Sequence, residues 1–259
     1  MLKIAVFIKQ VPDTTDVKWT PNNNIDRSKM DSVLNPVDKE AIEAALRIKE
    51  QHGAKVTVIT MGPKKAEDIL KEAVAMGADD AFLLCDSKFA GSDTLATSKI
   101  LSASIRELLP DTDIIIFGQS AADGETGQTG PCVAARLNMP CIGHVSEIVE
   151  IGDNYLIVIS ECEKESTTFK ITLPAVICIH NYIFPPRIPR VCGYMNAQDY
   201  NYITYNMYDI NIMEQDAGLK GSPTYVSKVF KCEDTRNGKV YNSDETDFQE
   251  IYKEIKKVL

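Results

Sequence analysis

At 259 residues the chain can bury a substantial core, enough for one large α/β domain or for a domain with an appendage, and 44% hydrophobic with 25% charged residues favours neither disorder nor a membrane class. The formal net charge of -9 would repel a polyphosphate backbone, and no run of Lys and Arg interleaved with aromatics offsets it, so nucleic acid is not an expected partner. The longest apolar stretches, such as Ile114 to Phe117 and Ala175 to Ile179, are too short to span a bilayer, and MLKIAVFIKQ breaks too early for a secretory h-region; the expectation is a cytoplasmic protein without membrane insertion.

Leu2 to Ile8 is a short apolar run rich in β-branched residues, and Pro36 to Glu50 is amphipathic, giving strand, loop and helix. Pro36 suits a first helical turn, where its missing N–H has no intrahelical partner, with Asn35 in position to cap. The pattern then repeats. Val56 to Met61 reads as a strand, Lys64 to Met76 as a helix, Ala81 to Leu84 as a strand, Asp93 to Leu109 as a helix and Ile114 to Phe117 as a strand. Short strands alternating with helices predict a parallel, doubly wound α/β sheet covered on both faces. Ligands of such sheets bind beyond the carboxyl ends of the strands, which directs attention to the loops after the first, second and fourth strands.

After Pro140 the rhythm changes. Val145 to Ile151, a Gly152-Asp153-Asn154 turn, Tyr155 to Ser160 and Phe169 to Leu173 read as antiparallel strands with a hairpin across the turn. The prolines of Phe184-Pro185-Pro186-Arg187-Ile188-Pro189-Arg190 forbid regular pairing and mark a boundary, dividing an α/β domain (1–183) from a partner-docking loop and extended C-terminal arm (184–259). That arm is weakly periodic until an amphipathic helix from Phe248 to Val258, and it is expected to wrap a partner.

Gly118-Gln-Ser-Ala-Ala-Asp-Gly-Glu-Thr-Gly-Gln-Thr-Gly-Pro131 lies between an apolar strand and the helical Cys132 to Leu137. Gly124, Gly127 and Gly130 let backbone N–H groups converge, Thr126 and Thr129 add hydroxyls, and a helix N-terminus follows at Pro131: an anion site that suits phosphate without lysine. A flexible loop with a cap would explain the residue types but not their density. The spacing matches neither G-x-x-x-x-G-K-[ST] nor G-x-G-x-x-G. Lys9-Gln10-Val11-Pro12-Asp13-Thr14 forms a polar lip after the first strand. Asn35 could cap its helix or read an adenine edge or a ribose, and Gly62 permits close backbone approach. Seven scattered cysteines without a C-x-x-C pair read as reduced thiols, and the three histidines lack neighbours at metal spacing, so no metal site is expected.

KQVPDT, NPVDKEAIEAALRIKE, VTVITMGP, EAVAMGADDAFLL, AGSDTLATS and GQSAADGETGQTGP, in this order, resemble the characteristic blocks of the beta-subunit family of electron-transfer flavoproteins. The resemblance covers roughly the first 180 residues and returns at Gly218-Leu-Lys-Gly-Ser-Pro-Thr224. It implies an adenine-nucleotide-alpha-hydrolase-like sheet. It also implies a nucleotide site at Phe7, Ile8, Lys9, Asn35, Pro36, Asp38, Thr60, Met61 and Gly62, continued by Asp123, Gly124, Thr126, Gly127, Gln128, Thr129, Gly130 and Pro131. The AGSDTLATS block looks like that of flavin-binding, electron-bifurcating members, which adds Gly91, Asp93, Thr94 and Thr97 and favours FAD over AMP. Physically, Gly91 gives room for a flat ring, while Ser92 or Asp93 would serve equally as a helix cap.

Family membership would make the chain one half of a heterodimer with an alpha subunit. Electrons would pass from NADH, a transient substrate, to ferredoxin and through the alpha-subunit flavin to or from a flavin dehydrogenase of acyl-CoA or lactate type. No side chain is required as catalytic acid, base or nucleophile. The family's docking loop implies roles for Arg187 and Val191, although residues 181–213 diverge from the family pattern.

Overall fold

The computed structural model describes residues 1–13, 32–163, 165–225, 227 and 245–258; Thr14 of the polar lip lies outside them. The strands β1 (Lys3–Ile8), β4 (Lys55–Met61), β5 (Asp80–Leu84), β6 (Ile114–Gly118) and β10 (Ala175–Ile179) form the parallel centre of a nine-stranded sheet. A short antiparallel pair, β2 (Gln10–Pro12) with β3 (Ser32–Leu34), stands apart from it. The central strands are buried on both faces, which is why they read as unbroken apolar runs: every residue of β10 is buried, as are Ile114 to Phe117 of β6.

One face of the sheet is covered by α1 (Pro36–His52) and α2 (Glu67–Met76), whose Ile42, Leu46, Ile69 and Leu70 pack on Ile4, Val6, Val56 and Val58. On the other face, Ile100 and Ile105 of α3 (Thr94–Leu108) and Val133 of α4 (Thr129–Leu137) meet Ala5, Phe7, Ile115 and Phe117. Local chemistry sets the helix ends. Pro36 opens α1, and Gly53 closes it at φ 69 with its N–H donated to the Lys49 carbonyl. α4 starts earlier than expected, since Pro131 occupies its third position rather than its first; no N–H is needed there either.

The order β11-β5-β4-β1-β6-β10-β7-β8-β9 puts the reversal of winding between β1 and β6. The late antiparallel strands β7 (Cys141–Ile151), β8 (Tyr155–Cys162) and β9 (Glu165–Thr172) extend one end, and β7 and β8 are joined across the Gly152 turn as expected. At the other end, β11 (Ile203–Tyr205) pairs in parallel with β5. Residues from 191 to 221, expected in a partner-wrapping arm, thus return to their own domain. The helix α5 (Val191–Asp199) packs on α2, with Gly193 so close that a Cβ there would lie 2.2 Å from the Ala75 carbonyl oxygen, and Met207, Ile210 and Ala217 enter the core. The open edge of β5 and the apolar side of α2 supply a surface that local periodicity does not reveal. The described C-terminal helix, α6 (Glu245–Val258), leaves Phe248, Tyr252 and Ile255 exposed on one side.

The proline-rich segment is strapped to α1 by two buried carboxylates. Glu40 accepts the backbone N–H groups of Tyr182, Ile183 and Phe184 at 2.9, 2.9 and 3.0 Å, and Glu43 receives the Arg187 guanidinium at 2.7 Å. Replacing Glu40 by Ala would leave these N–H groups without their acceptor, and we expect a loss of about 3 kcal/mol in unfolding free energy, measured by urea titration.

Candidate nucleotide-binding site

The crevice lies where the winding reverses, at the carboxyl ends of β1 and β6. Asp38, in the first turn of α1, is buried there. Its Oδ2 accepts the Lys9 N–H at 2.8 Å, and the last residue of β6 presses against its other oxygen: a Cβ on Gly118 would stand 2.4 Å from Asp38 Oδ1. Burial pushes the Asp38 carboxyl up to about 7, against the opposing hydrogen bonds from the Lys9 N–H, the Asn35 side chain and the Gly118 N–H.

Asn35 is buried and makes no cap hydrogen bond to α1. Its Nδ2 instead donates to the Ser120 carbonyl at 2.9 Å, and its Oδ1 accepts the Ala122 N–H at 3.2 Å. The amide therefore pins the glycine-rich loop to the start of α1. Lys9 crosses the same crevice from the β1 side, its Nζ 2.7 Å from Asp123 Oδ1. Pro36 is exposed beside this junction, whereas Phe7 and Ile8 are buried on opposite faces of β1, so only their backbones can face the crevice.

The loop itself is tightly turned. Gly124 and Glu125 donate N–H bonds to the Ala121 carbonyl, and Glu125 and Gly127 are left-handed at φ 48 and 61. Gly127 lies over the Gln119 backbone, where a Cβ would come within 3.4 Å of its carbonyl oxygen, and Thr126, Gly127 and Gln128 are open to solvent. Gly130 allows α4 to sit on the sheet, since a Cβ would meet Cys178 Sγ at 2.6 Å. With Pro131 next, the N-terminal N–H groups of α4 have no intrahelical acceptor and point out of the helix beside the loop.

On the far side of β1, Thr60, Met61 and Gly62 end β4, with Thr60 in register with Ile8 and the Gly62 N–H donated to the Leu84 carbonyl at 3.1 Å. Thr60 is 1% exposed, and its hydroxyl has no hydrogen-bond partner among the described residues. The β5–α3 turn follows. Gly91 is left-handed at φ 78, Asp93 caps α3 by accepting the Ala96 N–H at 2.9 Å, and Thr94 and Thr97 fall one turn apart on α3. The Thr94 hydroxyl lies 3.4 Å from Gln128 Oε1, which joins this turn to the glycine loop.

The sequence-derived residues therefore gather at the carboxyl ends of β1, β4, β5 and β6 and in the turns that follow them. A nucleotide fits there on two observations: the orphaned buried hydroxyl of Thr60, and a glycine loop that leads into outward-facing N–H groups of α4. Gly118 entered the sequence reading only as the start of the glycine-rich stretch and Gly218 to Thr224 only as a returning family block, and neither they nor His180 were assigned to the site. His180 supports the loop through Nδ1, 2.8 Å from Gln119 Oε1. Arg187, read as a docking residue, is held by Glu43 and Glu50 on α1, while Val191 is 78% exposed. Among the described residues no cluster of metal ligands occurs, and no helix is long and apolar enough to cross a membrane.

A family model described as the electron transfer flavoprotein domain matches residues 23–200. The chain is 39% identical over 245 residues to the electron transfer flavoprotein subunit beta of Thermoanaerobacterium thermosaccharolyticum, covering 94% of this chain and 93% of that protein. It is 39% identical over 231 residues to the caffeyl-CoA reductase-Etf complex subunit CarD of Acetobacterium woodii, covering 88% and 87%. It is also 39% identical over 236 residues to the acryloyl-CoA reductase electron transfer subunit gamma of Anaerotignum propionicum, covering 88% of each.

Because Asp38 has its carboxyl raised from 3.8 to about 7 on folding, the native chain binds a proton that the unfolded chain has released between those values. Its contribution to stability is fully present below pH 3.8 and is lost as pH rises through 7, by about 4 kcal/mol in all. Urea midpoints measured across this window should show that decline in the wild type and a flatter profile in Asp38→Asn.

Proposed function

Since the chain belongs to the electron transfer flavoprotein beta-subunit family, we propose that it holds FAD at this site, passing electrons from NADH to ferredoxin and, through the alpha-subunit flavin, to or from a partner dehydrogenase in the cytoplasm. The observation that carries the choice of FAD is the β5–α3 turn. Its left-handed Gly91, with Leu219 lying across it, and Thr94, whose hydroxyl contacts Gln128, stand next to the glycine loop and offer a ligand contacts past the point an adenine nucleotide's phosphate needs. Within this reading, the glycine loop and the first turn of α4 hold the pyrophosphate through backbone N–H groups, and the Thr60 hydroxyl supplies a bond at the floor. Bound FAD would supply hydride acceptance from NADH and the division of the electron pair between two acceptors. The chain's own residues bind and orient, exclude water from the strand ends, and set the local field through the Lys9–Asp123 pair and Asp38. This reading requires no side chain of the subunit as acid, base or nucleophile.

One observation favours the second reading, a subunit that holds AMP as a structural element. Both carboxylate oxygens of Asp93 already accept hydrogen bonds within the chain, Oδ1 from the Ala96 N–H and Oδ2 from Thr224, which leaves less acceptor capacity for a flavin N–H. For the dehydrogenase partner, the names of the relatives from Acetobacterium woodii and Anaerotignum propionicum point to an enzyme acting on a CoA thioester. The exposed Val191, with Ile188 beside it, would meet that partner.

Acid release and chromatography of the purified alpha–beta complex would decide between the readings. Two FAD per heterodimer, with ferredoxin reduction driven by NADH, is the expected result, and one FAD with one AMP would establish the structural role. Gly127→Val places a β-branched residue at φ 61, so its complex should purify with the beta-subunit nucleotide lost; unchanged nucleotide content would count against the loop as the phosphate site.

A further inference from the structure

Residues 218 to 224 are tied to the β5–α3 turn by a dense set of hydrogen bonds. Asp93 Oδ1 caps α3, while Oδ2 accepts both the Thr224 N–H at 3.1 Å and the Thr224 hydroxyl at 2.8 Å. In return, the Asp93 N–H donates to Ser222 Oγ at 2.8 Å, and the Gly218 N–H donates to Ser92 Oγ at 2.9 Å. The backbones interlock as well. Gly218 is left-handed at φ 58, and a Cβ there would stand 2.3 Å from the Lys88 carbonyl oxygen. Leu219 lies across Gly91, occupying the space a Gly91 side chain would need, 2.8 Å from the ideal Cβ position. The flanking ion pair Lys99–Asp216, at 2.6 Å, holds the approach to this segment on α3.

We propose that Asp93 and the segment from Gly218 to Thr224 form a lock that positions the outer wall of the nucleotide site, so that residues well beyond the α/β core decide how tightly the site retains its ligand. The lock rests on the nucleotide reading above and deepens it. Gly91 and Thr94 stand at the site on the β5 side, and their position follows from what Asp93 holds, because the same carboxylate fixes the helix start with one oxygen and the returning chain with the other. Thr94 then carries the constraint to Gln128 at the end of the glycine loop. A cap alone requires only one oxygen, and helix α3 would start as well with Asn at this position. The second oxygen, committed to Thr224, is what makes the turn part of a closed ring.

Asp93 is a positioning residue in this scheme, and its two functions separate by substitution. Asp93→Asn keeps an acceptor for the Ala96 N–H but presents an amide NH2 to the Thr224 N–H, so the cap survives while the lock loses its charge and its bond to that N–H. Thr224→Val removes the hydroxyl at nearly constant volume, whereas Thr224→Ser keeps it. The experiment measures dissociation constants for FAD and for AMP by equilibrium dialysis of the full chain in complex with its alpha subunit, together with thermal midpoints of the nucleotide-free forms. Asp93→Asn and Thr224→Val should each weaken retention of the bound nucleotide about tenfold, the scale set by losing a hydrogen bond to a charged group. Thr224→Ser should restore it, and the nucleotide-free midpoints should stay together. Wild-type retention in both weakened variants would overturn the lock while leaving the nucleotide site in place. A fall in midpoint with no change in affinity would reduce the contact to a fold clamp and also overturn it. Failure of the wild type to retain either nucleotide would overturn the nucleotide reading itself, and the lock with it.

Discussion

The geometry of the strand ends depends on one buried carboxylate. In a doubly wound sheet the strands on either side of the winding reversal send their chains to opposite faces, and nothing in the ladder itself closes the gap beyond them. Asp38 closes it here, reaching from the first turn of α1 to the Lys9 N–H at the end of β1, with Gly118 at the end of β6 pressed against its other oxygen. Burial costs this carboxyl part of its ionisation, and the surrounding donors recover only part of the loss. Asn35, three residues earlier, ties the loop after β6 to the same turn. Once these groups are fixed, the glycine loop has one place to go.

A second pair of carboxylates on α1 organises the other side of the molecule. Glu40 and Glu43 lie one turn apart, and they convert the proline-rich stretch, which cannot join the sheet, into a strap with a defined path. Arg187 is drawn inward to Glu43 and Glu50, while Tyr182, Ile188 and Val191 are turned outward at 93%, 89% and 78% exposure. An apolar surface presented by so firmly anchored a backbone loses little conformational entropy on docking, because the ordering cost is already met within the subunit.

Much of this was legible from residue order. The central strands announced themselves because burial on both faces demands continuous apolar runs, and the loop after β6 stood out through its glycine and threonine density. What escaped was set by distant partners. Gly118 is obligatory only because Asp38, far away in the chain, packs against it. Asn35 invited a choice between capping and base reading, and the fold uses it for the loop backbone instead. β11 is a partly exposed edge strand of Ile203 to Tyr205, too short for an alternation to register, and α5 buries only Ala197 within its span. Both exist because β5 and α2 offer unfilled surface, which is a property of the assembled domain rather than of either segment.

The far end of the sheet is governed by a looser rule. β8 alternates between buried or half-buried positions until Ser160, whereas β9 is exposed along nearly its whole length, with Lys170 seated over the Tyr155 ring. Where no face is buried, register is specified by backbone hydrogen bonds and the connecting turn alone. The outermost ribbon can therefore lengthen, shorten or slip without disturbing the carboxyl ends of the central strands, giving this scaffold a margin whose shape is free to vary while its centre stays fixed.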